Sequence, residues 1–167
     1  VQAEIINIPV DFETIQAGIN AAEDNDTVLV APGIYTEALL IQRKAITIAS
    51  NFIIDGDEAA IVETVLDGED QHGLVRFEEC NGLRVAICGF SIIRGREAIG
   101  LYTSSPILTH LIIRNSSTAT FVHDSNPIIE NVLFEENGFG VWLRYRGRIV
   151  MRNAIIRNNE GQSAICI

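Results

Sequence analysis

Seven side chains in the C-terminal half of this sequence have types and spacings that could do chemistry together. Tyr102, His123 and Arg144 recur at steps of 21 residues, and Phe121 and Trp142 are separated by the same step. Tyr145 and Arg146 follow directly. If residues one step apart lie on top of one another, the rings of Phe121 and Trp142 become neighbours. Stacked aromatic faces hold flat apolar surfaces such as one side of a sugar ring or a patch of another protein. Phenol, imidazole and guanidinium groups beside them supply polar tips, and a guanidinium grips a carboxylate through two parallel hydrogen bonds. The competing expectation is that a loop or partner chain covers these rings. A one-residue slip in strand register would turn them inward instead.

The elements that must position these residues follow from an internal repeat. Gly89-Phe90-Ser91-Ile92-Ile93 is echoed by His110-Leu111-Ile112-Ile113, by Asn131-Val132-Leu133-Phe134 and by Asn153-Ala154-Ile155-Ile156. Pro106-Ile107 returns as Pro127-Ile128, and Arg148-Ile149 follows 21 residues later, with one extra residue placed before Asn153. A period of this length marks a solenoid, in which each unit buries its apolar face only when a neighbour stacks on it. The units hold short runs of Ile, Val, Leu and Phe broken by Gly, Asn, Ser and Pro, which is the pattern of strands and turns.

Two strands are expected per unit. In the first, Phe90/Leu111/Val132/Ala154 and Ile92/Ile113/Phe134/Ile156 point inward. In the second, Ile99/Thr120/Val141/Ser163 and Leu101/Val122/Leu143/Ile165 do. The outward columns are then Gly100/Phe121/Trp142/Ala164, Tyr102/His123/Arg144/Cys166 and Ser91/Ile112/Leu133/Ile155. Parallel stacking at about 4.8 Å makes each column continuous. The aliphatic column Ile112, Leu133 and Ile155 would form an apolar stripe, which marks a contact: a dimer, a further domain or the chain's own loops.

Ahead of the repeats, Val1 to Pro9 contains the strand Glu4-Ile5-Ile6-Asn7-Ile8. A helix over Thr14–Ala22 places Ile15, Ile19 and Ala22 on one face. Asp11 is the expected N-cap, with Thr14 the alternative. The helix would close the open end of the stack, whose strand edges and apolar disc need a cap. Thr27-Val28-Leu29-Val30 begins the first coil, Ala31-Pro32-Gly33-Ile34-Tyr35 is a turn, and strands follow over Glu37–Ile41 and Ala45–Ala49.

The segment IPVDFETIQAGINAAEDNDTVLVAPGIYTEALLI resembles the N-terminal capping segment of the right-handed parallel β-helices of the pectin-lyase-like superfamily. Its marks are Phe12-Glu13-Thr14-Ile15-Gln16, Asp26-Thr27-Val28 and Pro32-Gly33-Ile34-Tyr35-Thr36-Glu37. The similarity continues through Val65 to Gly68 and Cys88 to Gly95. It implies an all-β fold, a single-stranded right-handed parallel β-helix solenoid with an N-terminal capping α-helix. It also implies a polysaccharide or oligosaccharide partner, an extracellular or periplasmic location, and working groups on outward strand positions. The motifs of that superfamily's polygalacturonases and pectin methylesterases are absent.

The expected organisation is one β-helix domain over residues 1–167, with a cap over 1–26 and roughly five to seven coils over 27–167. The start at Val1-Gln2-Ala3 fits a processed or trimmed chain. The final strand, Ala164 to Ile167, with no cap after it, fits a fragment of a longer solenoid or an open end that meets another subunit. A formal net charge of −10 argues against general nucleic-acid binding, and no apolar run reaches membrane-spanning length.

No cofactor is implied by a motif. Asp55, Asp57 and Asp67 lie in an acidic excursion over Asn51–Gln71 and are weak candidates for a Ca²⁺ site. A solvated acidic loop is the plainer reading. Cys80, Cys88 and Cys166 match no metal spacing and are expected as free thiols, a Cys80–Cys88 bridge being the alternative. Asn115, Asn137, Asn158 and Asn159 are expected to stabilise turns. A hydrolase needs two carboxylates across one bond, and no such pair can be placed among Asp124, Glu130, Glu135 and Glu136. Three functions stay open: a non-catalytic module binding polysaccharide through Tyr102, Phe121, His123, Trp142, Arg144 and Tyr145; a polysaccharide lyase or hydrolase, or part of one; and a structural solenoid assembling through Ile112, Leu133 and Ile155.

Overall fold

A computed structural model describes residues 2–70, 73–161 and 165–166. Strand β1 (Ile5–Ile8) and helix α1 (Ile15–Ala21) precede a winding chain. The first coil holds β2 (Thr27–Val30), β3 (Gly33–Tyr35) and β4 (Leu39–Gln42). The second holds β5 (Thr47–Ser50), helices α2 (Phe52–Asp55) and α3 (Ala59–Glu63), β6 (Thr64–Asp67) and β7 (Val75–Glu78). The third holds β8 (Ala86–Cys88), β9 (Ser91–Ile93) and β10 (Glu97–Tyr102). Next come β11 (Ile107–Arg114) with β12 (Thr118–Ser125), then β13 (Ile128–Glu135) with β14 (Phe139–Gly147). The last described coil holds β15 (Val150–Arg152), β16 (Ile155–Arg157) and β17 (Ile165–Cys166).

All pairings between these strands are parallel and join one coil to the next, so the fold is the expected all-β parallel β-helix. Its coils make three walls rather than two. The first runs β1-β2-β5-β8 and on to the first halves of β11 and β13 and to β15. The second runs β3-β6-β9 and on to their second halves and to β16. The third is the 6-stranded sheet β4-β7-β10-β12-β14-β17. The extra wall comes from a corner inside an apolar run. His110 (φ 50°) and Asn131 (φ 54°) adopt the left-handed conformation within β11 and β13, and Gly89 and Asn153 do the same in the flanking coils. A run that reads as one strand therefore turns and serves two walls.

The inward columns pack the core as expected. Phe90, Leu111 and Val132 are buried, as are Ile92, Ile113 and Phe134, Ile99, Thr120 and Val141, and Leu101 and Val122. Ala154, Ile156 and Leu143 are half-buried. Two registers differ from expectation in the last coil. Val150, not Ile149, stacks on Ile128, because the extra residue sits upstream in a bulge between His123 and Ser125 of β12 and their partners in β14. Ile165 pairs with Val141 and Cys166 with Trp142, so this coil is two residues longer than the repeat predicts. A two-residue shift keeps side-chain parity. The expected positions of Ser163, Ala164 and Ile167 lie outside the described residues, as does His72.

Helix α1 is capped by Thr14, whose Oγ1 accepts from the Ala17 N–H at 3.1 Å. Asp11 instead closes its own turn, accepting from the Asn7 N–H at 2.6 Å. Glu37 adds a second cap, accepting from the Ile15 and Gln16 N–H groups at 2.8 and 2.9 Å. Orphan amides of the first turn are thereby satisfied, and buried Ile15 and Ile19 join the core. The excursion from the stack is shorter than expected: α2 and α3 occupy it, and the chain is back in the second wall at Thr64.

Candidate functional site

The third wall builds the aromatic patch by register alone. Gly100 stands beside Phe121 and Phe121 beside Trp142, while Tyr102, His123 and Arg144 form the next row. Because alternate residues face opposite sides, burying Ile99, Leu101, Thr120, Val122 and Val141 turns all of these outward. The rings touch in sequence. Tyr102 lies 5.7 Å from Phe121, and Phe121 meets Trp142 edge-on at 5.8 Å. His123 stacks on Phe121 at 6.4 Å and meets Tyr145 edge-on at 4.9 Å. The Arg144 guanidinium lies 5.5 Å from the Tyr145 ring centre. Trp142 is 37% exposed and Tyr145 71%.

The bulge explains the reach of Tyr145. At φ 66° it sits where the bulged strand bends, and with Arg146 it walls a shallow hollow floored by His123 and Asp124. Bulges re-aim side chains in this way. At the other end of the patch the Tyr102 hydroxyl donates to Glu97 at 2.9 Å. Burial and then the Glu97 carboxylate push the phenol up to about 12, so Tyr102 acts as a hydrogen-bond donor at neutral pH. The Arg76 guanidinium lies 4.9 Å from the Tyr102 ring centre and pairs with Glu78 at 2.5 Å. A Cβ on Gly100 would meet the Glu97 carboxylate and the Tyr102 ring, so only glycine leaves room for this packing.

Sequence reading missed three members of the patch: Arg76, Glu97 and Phe139, the last 5.5 Å from Trp142. Arg76 was findable, since it shares a rung with Gly100. Glu97 lies on the inward parity of its strand, and Phe139 shares parity with inward Val141. Both stand at the first residue of a strand, where the backbone is still leaving a corner.

The aliphatic column also forms as expected, with Ser91, Ile112, Leu133 and Ile155 in register on the second wall. Its first rung is covered by the chain itself: the Ser91 hydroxyl donates to the Ile61 carbonyl of α3 at 2.9 Å. Beyond α3 the column floors a groove of about 360 Å³ bordered by Glu58, Val62, His110, Asn131 and Asn153. His110 is pinned at the corner by Thr109 Oγ1 (2.8 Å), by Asn131 (3.2 Å) and by the Phe52 ring (4.5 Å).

The acidic candidates are not gathered. Asp55 accepts from the Asp57 N–H at 2.9 Å and Asp57 from the Ala59 N–H at 3.0 Å, each holding its own turn. Asp67 forms a two-pronged pair with Arg94, which is the main reason its carboxyl is held below the usual range. Among the described residues no three His, Cys, Asp or Glu side chains are grouped to hold a metal ion. Cys80 and Cys88 are buried free thiols, and burial pushes Cys88 up to about 11. Asn137 lies inside its corner, accepting from the Ser116 N–H at 3.0 Å, while Asn159 accepts from the Asn137 N–H at 2.9 Å.

The architecture defines the class: a parallel β-helix with a helical N-terminal cap and an aromatic outer wall. No family model matches the chain, and no curated protein does. Among solved structures it is similar to the crystal structure of an alginate lyase from Paenibacillus sp. str. FPU-7, with TM-score 0.71 and 16% sequence identity. The match covers 97% of this chain and 61% of the lyase chain, so the chain spans about three fifths of that protein's length. At that identity the likeness is one of fold. Among the described residues no helix is long and apolar enough to cross a membrane.

Proposed function

We propose that this chain is one β-helix domain of the pectin-lyase-like superfamily that binds polysaccharide outside the cytoplasm through the outer face of its third wall. The observation that carries this reading is the unbroken path of rings from Tyr102 through Phe121 to Trp142, flanked by His123 and Tyr145. Rings 5.7 and 5.8 Å apart along the stack offer successive apolar contacts to successive sugars of a chain lying along it. Arg144, Arg146 and Arg148 follow one another at the end of that wall with no carboxylate among them, in a chain of net charge −10. The local field there favours an acidic glycan despite the overall charge. The fold likeness to a polysaccharide lyase supports the same substrate class.

Glycan-array screening with acidic and neutral glycans, followed by calorimetry of the hits, tests this. Binding is expected, and Trp142→Ala should weaken it by at least about tenfold, as loss of an aromatic anchor does. No bound glycan, or an unchanged Trp142→Ala titration, would sink the reading. A second reading, an enzyme of the lyase type, draws on that fold likeness and on Tyr102, His123 and Arg144 standing in one row. Its test is the absorbance of unsaturated uronate products over alginate and pectate with Ca²⁺ added, and a flat trace excludes it.

A further inference from the structure

The second wall carries a different surface, independent of the aromatic one. Helix α3 packs across the start of the apolar column, on β9 at Ser91 through Ile61 and on β11, and leaves Ile155 at the far end exposed. Ile112, Leu133 and Ile155 continue the column along the floor of the groove, with Ile155 56% exposed. The helix is itself apolar on a second side, because Val62 borders the same groove and is 57% exposed. The two ends of the groove differ in charge. At the second coil stand Asp55, Asp57, Glu58 and Glu63 with no basic residue among them; at the sixth stands Arg152, while Arg157 is already paired with Glu135 at 2.8 Å.

A surface with acid at one end, arginine at the other and apolar side chains between is complementary to itself when one copy is turned end for end. We infer that a second copy of this chain occupies the groove, in a two-fold dimer whose axis runs along the strands of the second wall, so that the two solenoids lie antiparallel. A two-fold interface uses the same patch on both copies. The turn lays each α3 across the other copy's Leu133 and Ile155, as α3 already lies across Ser91 in its own chain. Val62 and Ile155 leave water, and Glu58 of each copy approaches Arg152 of the other. Opposite charges at both ends select this orientation, because a parallel arrangement sets acid against acid and arginine against arginine. The third wall stays open, so glycan binding and dimer formation can each fail without the other.

Light scattering on a sizing column, with sedimentation over a wide concentration range, reads the mass. A dimer is expected, and a monomer at all concentrations overturns the inference. Ile155→Glu, at an exposed position that the fold tolerates, should raise the dissociation constant more than about tenfold with unchanged circular dichroism; a dimer indifferent to it overturns the inference. Glu58→Lys and Arg152→Glu each set like charges against each other and should each weaken self-association. Mixed together, the two variants restore both pairs, lysine against glutamate and arginine against glutamate, and should re-form a dimer. Two weakened variants that fail to recombine refute the antiparallel pairing.

Discussion

Replacing Asn137 by alanine should destabilise the fold far more than replacing its exposed neighbours in the repeat. Asn137 is fully buried in the corner between β13 and β14. Its Oδ1 accepts from the Ser116 N–H at 3.0 Å, and its Nδ2 donates to the Ile113 carbonyl at 2.9 Å and to Asn159 Oδ1 at 3.1 Å. Alanine leaves the buried Ser116 N–H without that acceptor, a penalty of about 1–3 kcal/mol, and removes two further bonds of about 1 kcal/mol each. The expected loss is about 3–5 kcal/mol, a large share of the roughly 5–15 kcal/mol that holds a domain together. Trp142 is the one tryptophan in the chain and lies on the strand that leaves this corner, so its fluorescence in urea reports the loss. Asn115 and Asn158 occupy left-handed corners with exposed side chains; alanine there should cost about 1 kcal/mol. If Asn137→Ala loses no more than Asn158→Ala, the buried ladder is not what holds the corners.

Thr120 gives the opposite case: its buried hydroxyl has no hydrogen-bond partner, so Thr120→Val should raise stability by about 1 kcal/mol in the same urea experiment. Tyr102 favours the neutral phenol in the folded chain, up to about 12 against an ordinary 10. Its contribution is therefore complete below pH 10 and lost as pH rises toward 12, and ultraviolet titration should lose a late-titrating component in Tyr102→Phe. Asp67 is held below its ordinary 3.8 by Arg94, so its contribution is present above pH 4 and lost as acid protonates it. Arg94→Ala should flatten the acid limb of stability against pH while lowering stability at pH 7, where the nearly buried carboxylate loses its partner.

The repeats were legible because solenoid packing writes a long-range contact as a local period. Phe90, Leu111 and Val132, or Ile113 and Phe134, are far apart in sequence yet touch at a fixed step, and the same step placed Phe121 beside Trp142. What the period could not carry was any departure from it. The bulge at Tyr145 moved Val150 onto Ile128, and the longer last coil moved Cys166 beside Trp142. The split of one expected strand into the first and second walls was hidden for a related reason: the corner at His110 has no glycine or proline to announce it, since the neighbouring coils enforce its left-handed backbone.

The 21-residue period determined that this chain stacks parallel coils, and apolar alternation determined which side chains face in, because only one parity can be buried along each strand. Side-chain chemistry around the walls was decided by the tertiary structure. Tyr102 became a donor clasped by Glu97, Asp67 became the partner of Arg94 rather than a metal ligand, and α3 was laid across the start of an aliphatic column. Each of these depends on distances across corners and insertions that no repeat specifies, and a change of a few ångströms there decides whether two groups bond or merely share a face.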